Sequence, residues 1–583
     1  MSGRWRLGLL AGALIGGLGG LLEAFGSPVT TPWKWVHLPA ADGLLGALGG
    51  VLAAFLAGNG RPGRIAGLAA FPWFATGLGL FVNRTLLSGT HFASPKSLIA
   101  DAIALFVAGA LAFGVARLVR RRSPHPPGWG ATIAVLIALG LGTQASRWAF
   151  DAGDRDDTRP DVVVISIDTL RPDALSTGGE PEPTSPTLDR WLRESRTFVE
   201  ALAPNPGSAA SHAALFTSRY PVSNGVWSNF TVMDTSLVTL AEILRADGYR
   251  TGGFATNTFL GRRYHFDQGF DAYVESGQVE RLEEGSPAAL WRSLGLVQIV
   301  DRLRGRLDSG YDPSFETALA WLRESNRPTL WFVHIMDVHS PYVPEEPWGE
   351  RFHADRGVDR GGERNRFGWR PSLEAYRAEV RFADSKMERL RRTIDACDRA
   401  GRTVTLLTSD HGENLLDHEP NFSHGRTLFD STLRIVAAIH APGLGVSPGL
   451  EPVPLENVDL LPTLFAVLGR SAWPEWEGRS FHPVTPPARP TIAQLNRDFA
   501  YRTRDAKLIL HEDGAREFYR LDEDPGERRP ATTPPPECVA QEELVRAWIA
   551  AHATELWTGA KSVTADELTP ELREKLEGLG YLD

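Results

Sequence analysis

Cysteine is nearly absent, with Cys397 and Cys538 the only two in 583 residues. That excludes a disulfide framework and any Cys-based or Cys/His zinc site. One bridge between the pair is the most the sequence allows, and two thiols without a catalytic task is the simpler reading. No block of like charge stands out either. The chain has 61 Lys and Arg against 71 Asp and Glu, a formal net charge of -10 without a basic stripe. This argues against nucleic acid as a partner, and an anionic substrate would have to find positive charge locally. There is no internal repeat and no long low-complexity tract, which removes solenoids and extended linker arrays.

The apolar residues that are present are unevenly spread. Residues 1 to about 150 are mostly Leu, Ala, Gly, Val and Phe, and the remainder has an ordinary soluble composition. Five apolar stretches, near 7–25, 41–58, 64–82, 97–118 and 130–147, each approach the roughly 20 residues that span a bilayer as a helix. The first runs on into four more, unlike a cleaved signal peptide. Arg4 and Arg6, Arg61 and Arg64, and Arg117 with Arg120 to Arg122 all fall on one side of a five-span topology, and the positive-inside rule makes that side cytoplasmic. The expectation is an all-α membrane anchor over 1–150 with the lipid bilayer as its partner, a polar linker over 151–160, and everything beyond it periplasmic or extracellular. Glu23, Asp42 and Asp101 sit near span ends, which favours an anchor over a transporter.

Beyond the linker, DVVVISID (161–168), TLWFVHIMD (329–337) and TVTLLTSD (403–410) are apolar runs that each end in aspartate. Such runs read as buried parallel strands, and helical patterns such as SLVTLAEILRADGY (236–249) lie between them. Alternating strand and helix predicts a mostly parallel α/β sheet covered on both faces, with ligands at the carboxyl ends of the strands. Asp168, Asp337 and Asp410 then approach one rim. From about 471 the pattern changes to many prolines, a strand-like AKLILHE and a polar helix. The expected division is a catalytic domain over 161–470 and a smaller C-terminal subdomain over 471–583.

SDHGE (409–413) follows a strand directly, and Asp410 with His411 offers an oxygen and a nitrogen ligand to a divalent cation. Asp168 adds a carboxylate from another strand. Ser208 opens a helix after Gly207, where it serves as an N-cap, a nucleophile or both. Two carboxylates, an imidazole and a hydroxyl around one ion suit displacement at phosphorus or sulfur. Two oxygens and a nitrogen beside a hydroxyl favour manganese or zinc over calcium.

The chain resembles the sulfatase family of the alkaline phosphatase superfamily. The carrying stretches, in order, are VVVISIDTLRPDAL, TSPTLDRWL, SAASHAALFTSRYPVSNGV, LAEILRADGYRT, FDQGFD, FVHIMDVHSPYVP, LLTSDHGENLLDHE, HGRTLFDSTLRIV, VDLLPTLFAVLG, FYRLDEDPGE and LREKLEGLGYLD. The resemblance implies a doubly wound α/β sheet with a smaller C-terminal sheet domain, and metal-assisted hydrolysis of a sulfated or phosphorylated ester. It implies Asp168, Asp410 and His411 as metal ligands, with calcium among the metals used by the family, and Ser208 at the nucleophile position. It also implies His339 and His424 as residues that contact the anionic group or the leaving oxygen. Thr256 or Thr258 falls where many sulfatases carry a lysine and a histidine.

Two departures from the family pattern bear on mechanism. Most sulfatases have at position 208 a cysteine followed by x-Pro-x-Arg, which is converted to formylglycine. This chain has Ser208, Ala210 and His212 there, and Thr169 where a second aspartate is usual. A formylglycine hydrate expels sulfate by collapsing to the aldehyde, which a plain serine cannot do. A phosphoserine is instead cleared in line by water or by a second hydroxyl. The pattern therefore leans toward an unmodified serine and phosphoryl chemistry, with helix-start amides steadying the ester oxygens and His339 or His424 protonating the leaving oxygen. The expected activity is hydrolysis of sulfate, phosphate or phosphonate esters at the outer membrane face. The alternatives are a phosphoryl transferase acting on envelope lipid or glycan, and a non-catalytic binding protein on the same fold.

Overall fold

The computed structural model describes residues 159–275, 319, 328–340, 342, 347–352, 372–396, 401–532, 536–564, 567–568 and 573, all within one compact unit. The five apolar stretches, the expected linker up to residue 158, and Cys397 lie outside the described residues. Among the described residues no helix is long and apolar enough to cross a membrane. Cys538 is buried against Leu508 and Phe518.

The main sheet is built from β1 (Val162–Ile167), β2 (Arg196–Phe198), β3 (Arg250–Ala255), β4 (Ala272–Glu275), β5 (Thr329–Ile335), β6 (Val404–Ser409), β7 (Ala437–His440) and β8 (Gly449–Glu451). Their spatial order is β8-β2-β7-β6-β1-β5-β3-β4. Pairing is parallel except at β7, which is antiparallel to both β6 and β2. The sheet is thus mixed and parallel-dominant. The reversal has a simple cause: no crossover helix intervenes between β6 and β7, so β7 starts from the rim where β6 ended and must run back.

Strand alternation divides the interior in two. Val162 and Val164 of β1, with Leu330, Phe332 and Leu406, pack under α2 (Ser208–Thr217), α3 (Leu240–Ala246) and α5 (Leu460–Val467). Val163, Ile165 and Ile167, with Trp331, Val333 and Leu407, pack under α1 (Pro186–Arg193) and α4 (Leu373–Ala396). α3 is shorter than its apolar pattern because Thr239 and Glu242 close a capping box at its start.

A second sheet is an antiparallel meander of β9 (Thr491–Leu495), β10 (Asp498–Arg502), β11 (Ala506–Leu510) and β12 (Arg516–Arg520). Of these only β11 is evident as a strand in the sequence. α6 (Pro536–His552) lies against β10 and β11, placing Val545 with Ile492 and Phe499. Ala493, Ala500, Ile509 and Tyr519 face Leu428 and Leu433, which follow the rim of the main sheet. Lys507 crosses this junction fully buried, paired with Asp430 at 2.8 Å and Glu527 at 2.7 Å. Arg502 pairs with Asp430 at 2.9 Å and with Glu200 at 3.1 Å.

Candidate active site

The register of the central strands aligns Ile167 of β1 with Ile335 of β5 and Ser409 of β6, so Asp168 and Asp410 leave the sheet side by side. Asp337, one residue past the register, does not join them. Its carboxylate is held by Lys386 of α4 at 2.7 and 2.8 Å. Asp168, Ser208, Asp410 and His411 are all essentially inaccessible. His411 Nδ1 donates to the Gly412 carbonyl at 2.8 Å, which fixes the tautomer and turns the Nε2 lone pair inward. Nε2 lies 3.2 Å from Ser208 Oγ, 3.5 Å from Asp410 Oδ2 and 3.8 Å from Asp168 Oδ1.

Ser208 does not cap α2. Gly207 is the N-cap and Ser208 the first helical residue, without a side-chain cap bond, because its hydroxyl is turned toward His411. Two asparagines do the capping: Asn205 Oδ1 accepts from Gly207 N at 2.8 Å, and Asn229 Oδ1 accepts from Ala209 N at 2.9 Å. The second bond takes the Ala209 amide away from the oxyanion role expected of the helix start.

Thr169 is not a ligand but a clamp. Its φ of 53° lies in the left-handed region, which is costly for a β-branched residue. Three bonds hold it there. Its amide donates to Asp410 Oδ1 at 3.1 Å and its hydroxyl to Val338 O at 2.8 Å, while Tyr376 OH donates to its carbonyl at 2.9 Å.

His339 and His424 stand over this floor. Their ring centroids are 4.6 Å apart, and His424 lies 4.7 Å from the His411 ring. His339 Nδ1 donates to Ser340 O, and His424 Nδ1 faces Glu413 Oε1 at 3.3 Å. Burial, helped by the neighbouring His411, lowers His424 to about 3, and burial also lowers His339. With its value that low the His424 ring is neutral, so as it stands it is a poor proton donor. An arriving anion raises both. Burial pushes the Glu413 carboxyl up to about 7. Of the two facing carboxylates, burial and the Asp168 charge raise Asp410. Asp168 is held low against its own burial by His339, His334 and His411.

Behind the floor lies a polar layer that the sequence reading missed. Ser166 and His334 are register partners on the face of β1 and β5 that α2 covers, where the preceding residues, Val162 and Val164 or Leu330 and Phe332, are apolar. His212 of α2 reaches this layer, with Nδ1 at 2.8 Å from Ser208 O and Nε2 at 2.9 Å from Ser166 Oγ. Burial, with His334 alongside, lowers His212 to about 3, so it is neutral. Thr256 bonds His334, and Asn257 Nδ2 donates to Asp168 Oδ2 at 2.8 Å. The signal available in the sequence was the polar break in two apolar strand stripes.

The residues present fit a divalent cation. Asp168 Oδ1 and Asp410 Oδ2 are buried without a hydrogen-bond partner. Among the described residues no lysine or arginine pairs with either carboxylate. Donors separated by 3.2–3.8 Å match the edges of a tetrahedron with bonds of about 2.0–2.3 Å. Calcium, which takes about six to eight oxygens at longer range, fits less well.

Comparison with known proteins adds the following. The family model "Sulfatase" matches residues 160–470. An ulvan-active sulfatase from Formosa agariphila is 22% identical over 339 residues, covering 54% of this chain and 62% of that protein. Arylsulfatase A of Homo sapiens is 25% identical over 391 residues, covering 58% and 68%. The chain thus spans less than two thirds of the first of these relatives. Among solved structures, a phosphonate monoester hydrolase of Agrobacterium radiobacter superposes with a TM-score of 0.55 at 18% identity, covering 70% of this chain and all of that one. That likeness speaks to the fold alone.

Proposed function

The chain belongs to the sulfatase family of the alkaline phosphatase superfamily, and from that premise we propose that it hydrolyses sulfuric or phosphoric esters with unmodified Ser208 as nucleophile. The observation that carries the reading is the pair of partnerless carboxylate oxygens, Asp168 Oδ1 and Asp410 Oδ2, beside a serine hydroxyl that faces His411 Nε2 at 3.2 Å.

Asp168, Asp410, His411 and Ser208 would hold one divalent ion of the manganese or zinc class. When bound, it would lower the pKa of the serine hydroxyl and withdraw charge from the ester oxygen. Ser208 gives up its hydroxyl proton to water, and its Oγ forms a bond to phosphorus or sulfur as the bond to the leaving oxygen breaks. His339 and His424 lie where that oxygen departs, and the negative charge of the bound ester raises their basicity, so one of them carries the proton the leaving group takes. Asn229 and Asn205 keep the nucleophile turn rigid. Water then attacks the covalent ester, its P–O bond to serine breaks, and Ser208 is regenerated with release of the inorganic anion.

Phosphoryl transfer is favoured over sulfate release because a plain serine has no aldehyde to collapse to, and His212 has both nitrogens engaged inside the helix and sheet. We place the site on the outer side of a membrane, following the five apolar stretches and their arginine pattern. Membrane-impermeant labelling of intact cells should reach the catalytic domain. The direct test of the main reading is mass spectrometry of the peptide bearing residue 208 together with turnover of aryl sulfate, phosphate and phosphonate esters. Unmodified serine and loss of all turnover in Ser208→Ala support it, whereas formylglycine at 208 or full activity in that variant overturns it.

A further inference from the structure

The two ends of β1 mark two rims of the main sheet. Asp168 follows its last residue, and Arg159 comes three residues before its first, Val162. At this second rim the Arg159 guanidinium donates to Asp247 O and lies over the Tyr249 ring at 5.3 Å. Asp247 ends α3, and Tyr249 leads into the amino end of β3. Arg470, just past α5, meets the same pair: it bonds the Asp247 carboxylate and lies over Tyr249 at 5.8 Å.

Beside these two arginines a groove of about 570 Å³ opens between α3 and the segment after α5, a size common for ligand sites. Val238, Ile243 and Ala246 line it from α3 and its approach, and Phe465 and Trp473 from α5 and beyond. Both acids on its border are already engaged. Glu242 accepts from Thr239 N and Gln268 Nε2 at 2.9 and 2.8 Å, and Asp247 holds Arg470. What remains for a ligand is apolar surface, with guanidiniums at one end and Trp473 left 39% exposed at its edge. Arginine stems, a tryptophan and an apolar trough together form the pattern that suits a bilayer interface. The length of chain before Arg159 agrees. Only residues 148–158 separate it from the last apolar stretch, and a segment of that length reaches at most about 40 Å.

We propose that this groove takes an acyl chain of a membrane phospholipid, with its phosphate toward Arg470 and Arg159 and Trp473 at the interface. The inference rests on reading residues 1–150 as a membrane anchor and is independent of the nucleophile assignment. Since Ser208 faces the other rim, beside Asp168 and His411, a lipid held here is not the ester that Ser208 attacks. It is a second ligand, which fixes the body to the lipid surface.

The test uses the full chain in nanodiscs of phosphatidylcholine and phosphatidylglycerol whose acyl chains carry a photoreactive diazirine, with crosslinks mapped by peptide mass spectrometry. Crosslinks are expected on peptides covering 238–247 and 465–473. Ala246 is exposed, so Ala246→Trp fills the groove without entering the core, and it should cut these crosslinks by about tenfold or more. Trp473→Ala should reduce them as well. Both variants should turn over aryl esters at the parent rate. Incorporation without crosslinks at the groove, or crosslinks that neither variant lowers, overturns the groove assignment and leaves the anchor reading intact. Loss of ester turnover in Ala246→Trp also overturns it, because the groove would then belong to the substrate path. A full chain that does not enter nanodiscs removes the anchor reading, and the proposal falls with it.

Discussion

Two clusters of buried charge lie in this chain, and they are closed by different means. At the junction of the two sheets, Lys507 sits between Asp430 and Glu527, and Arg502 joins the same Asp430. Each carboxylate there has a cationic side chain against it. At the rim of the main sheet, Asp168 and Asp410 are equally buried, yet they meet only imidazoles, amides and one another. The first cluster is complete with the chain's own residues and reads as structure. The second has two oxygens left over and reads as a place for a guest. Buried charge alone marks neither role, whereas the balance of partners does.

The contrast can be broken at several points. The largest effect is expected in Ser208→Ala, which should reduce kcat by about 10^3-fold or more while melting at the same temperature as the parent. A parallel loss of stability would mean that the hydroxyl is structural.

Next in size is Lys507→Met. It strands Asp430 and Glu527 and should cost about 3–5 kcal/mol in urea denaturation. Added zinc or manganese should not restore the loss, because this cluster has no vacancy of its own to fill.

The reverse behaviour is expected at the rim. Zinc or manganese at a hundredfold excess over its Kd should stabilise the parent by about 2.7 kcal/mol. Asp410→Asn should abolish most of that gain, as read by thermal denaturation with and without metal.

The smallest effect is an acid one. Burial opposes ionisation of Asp430, but Lys507 and Arg502 outweigh it and hold the carboxyl at about 2, below its usual 3.8. The stability this contributes is present above 3.8 and is lost as pH falls through that value toward 2. It amounts to about 2 kcal/mol. Unfolding curves taken across this window should show the decline in the parent and a flatter profile in Asp430→Asn.

How much of this was legible beforehand depends on what each residue's role requires. The metal-type residues were readable because β1 and β6 are apolar runs that stop on an acid, and a parallel register then brings such acids together without further information. Ser208 was readable as an exception at a helix start. The layer of Ser166, His334 and His212 was not, since its contacts come from the pairing of distant strands and from where α2 lands. Alternation does hold the clue, in the polar third position of two otherwise apolar faces. The meander after residue 490 was mostly hidden because strands such as DFAYR and REFYR mix charge with aromatics and show no clean period. Capping by Asn205 and Asn229 was likewise invisible, as it depends on a loop that folds back from 21 residues beyond Ser208.

The clamp at residue 169 also bears on what a single exchange at the rim could do. Its backbone is twisted into the left-handed region, which threonine tolerates poorly and aspartate or asparagine tolerates much better. The backbone at 169 therefore suits an acidic residue better than the threonine it holds. A single Thr169→Asp exchange would find its backbone already prepared and would add a third carboxylate at the rim. With that one exchange the donor set at the rim would gain an oxygen and move toward the harder cations that prefer oxygen ligands.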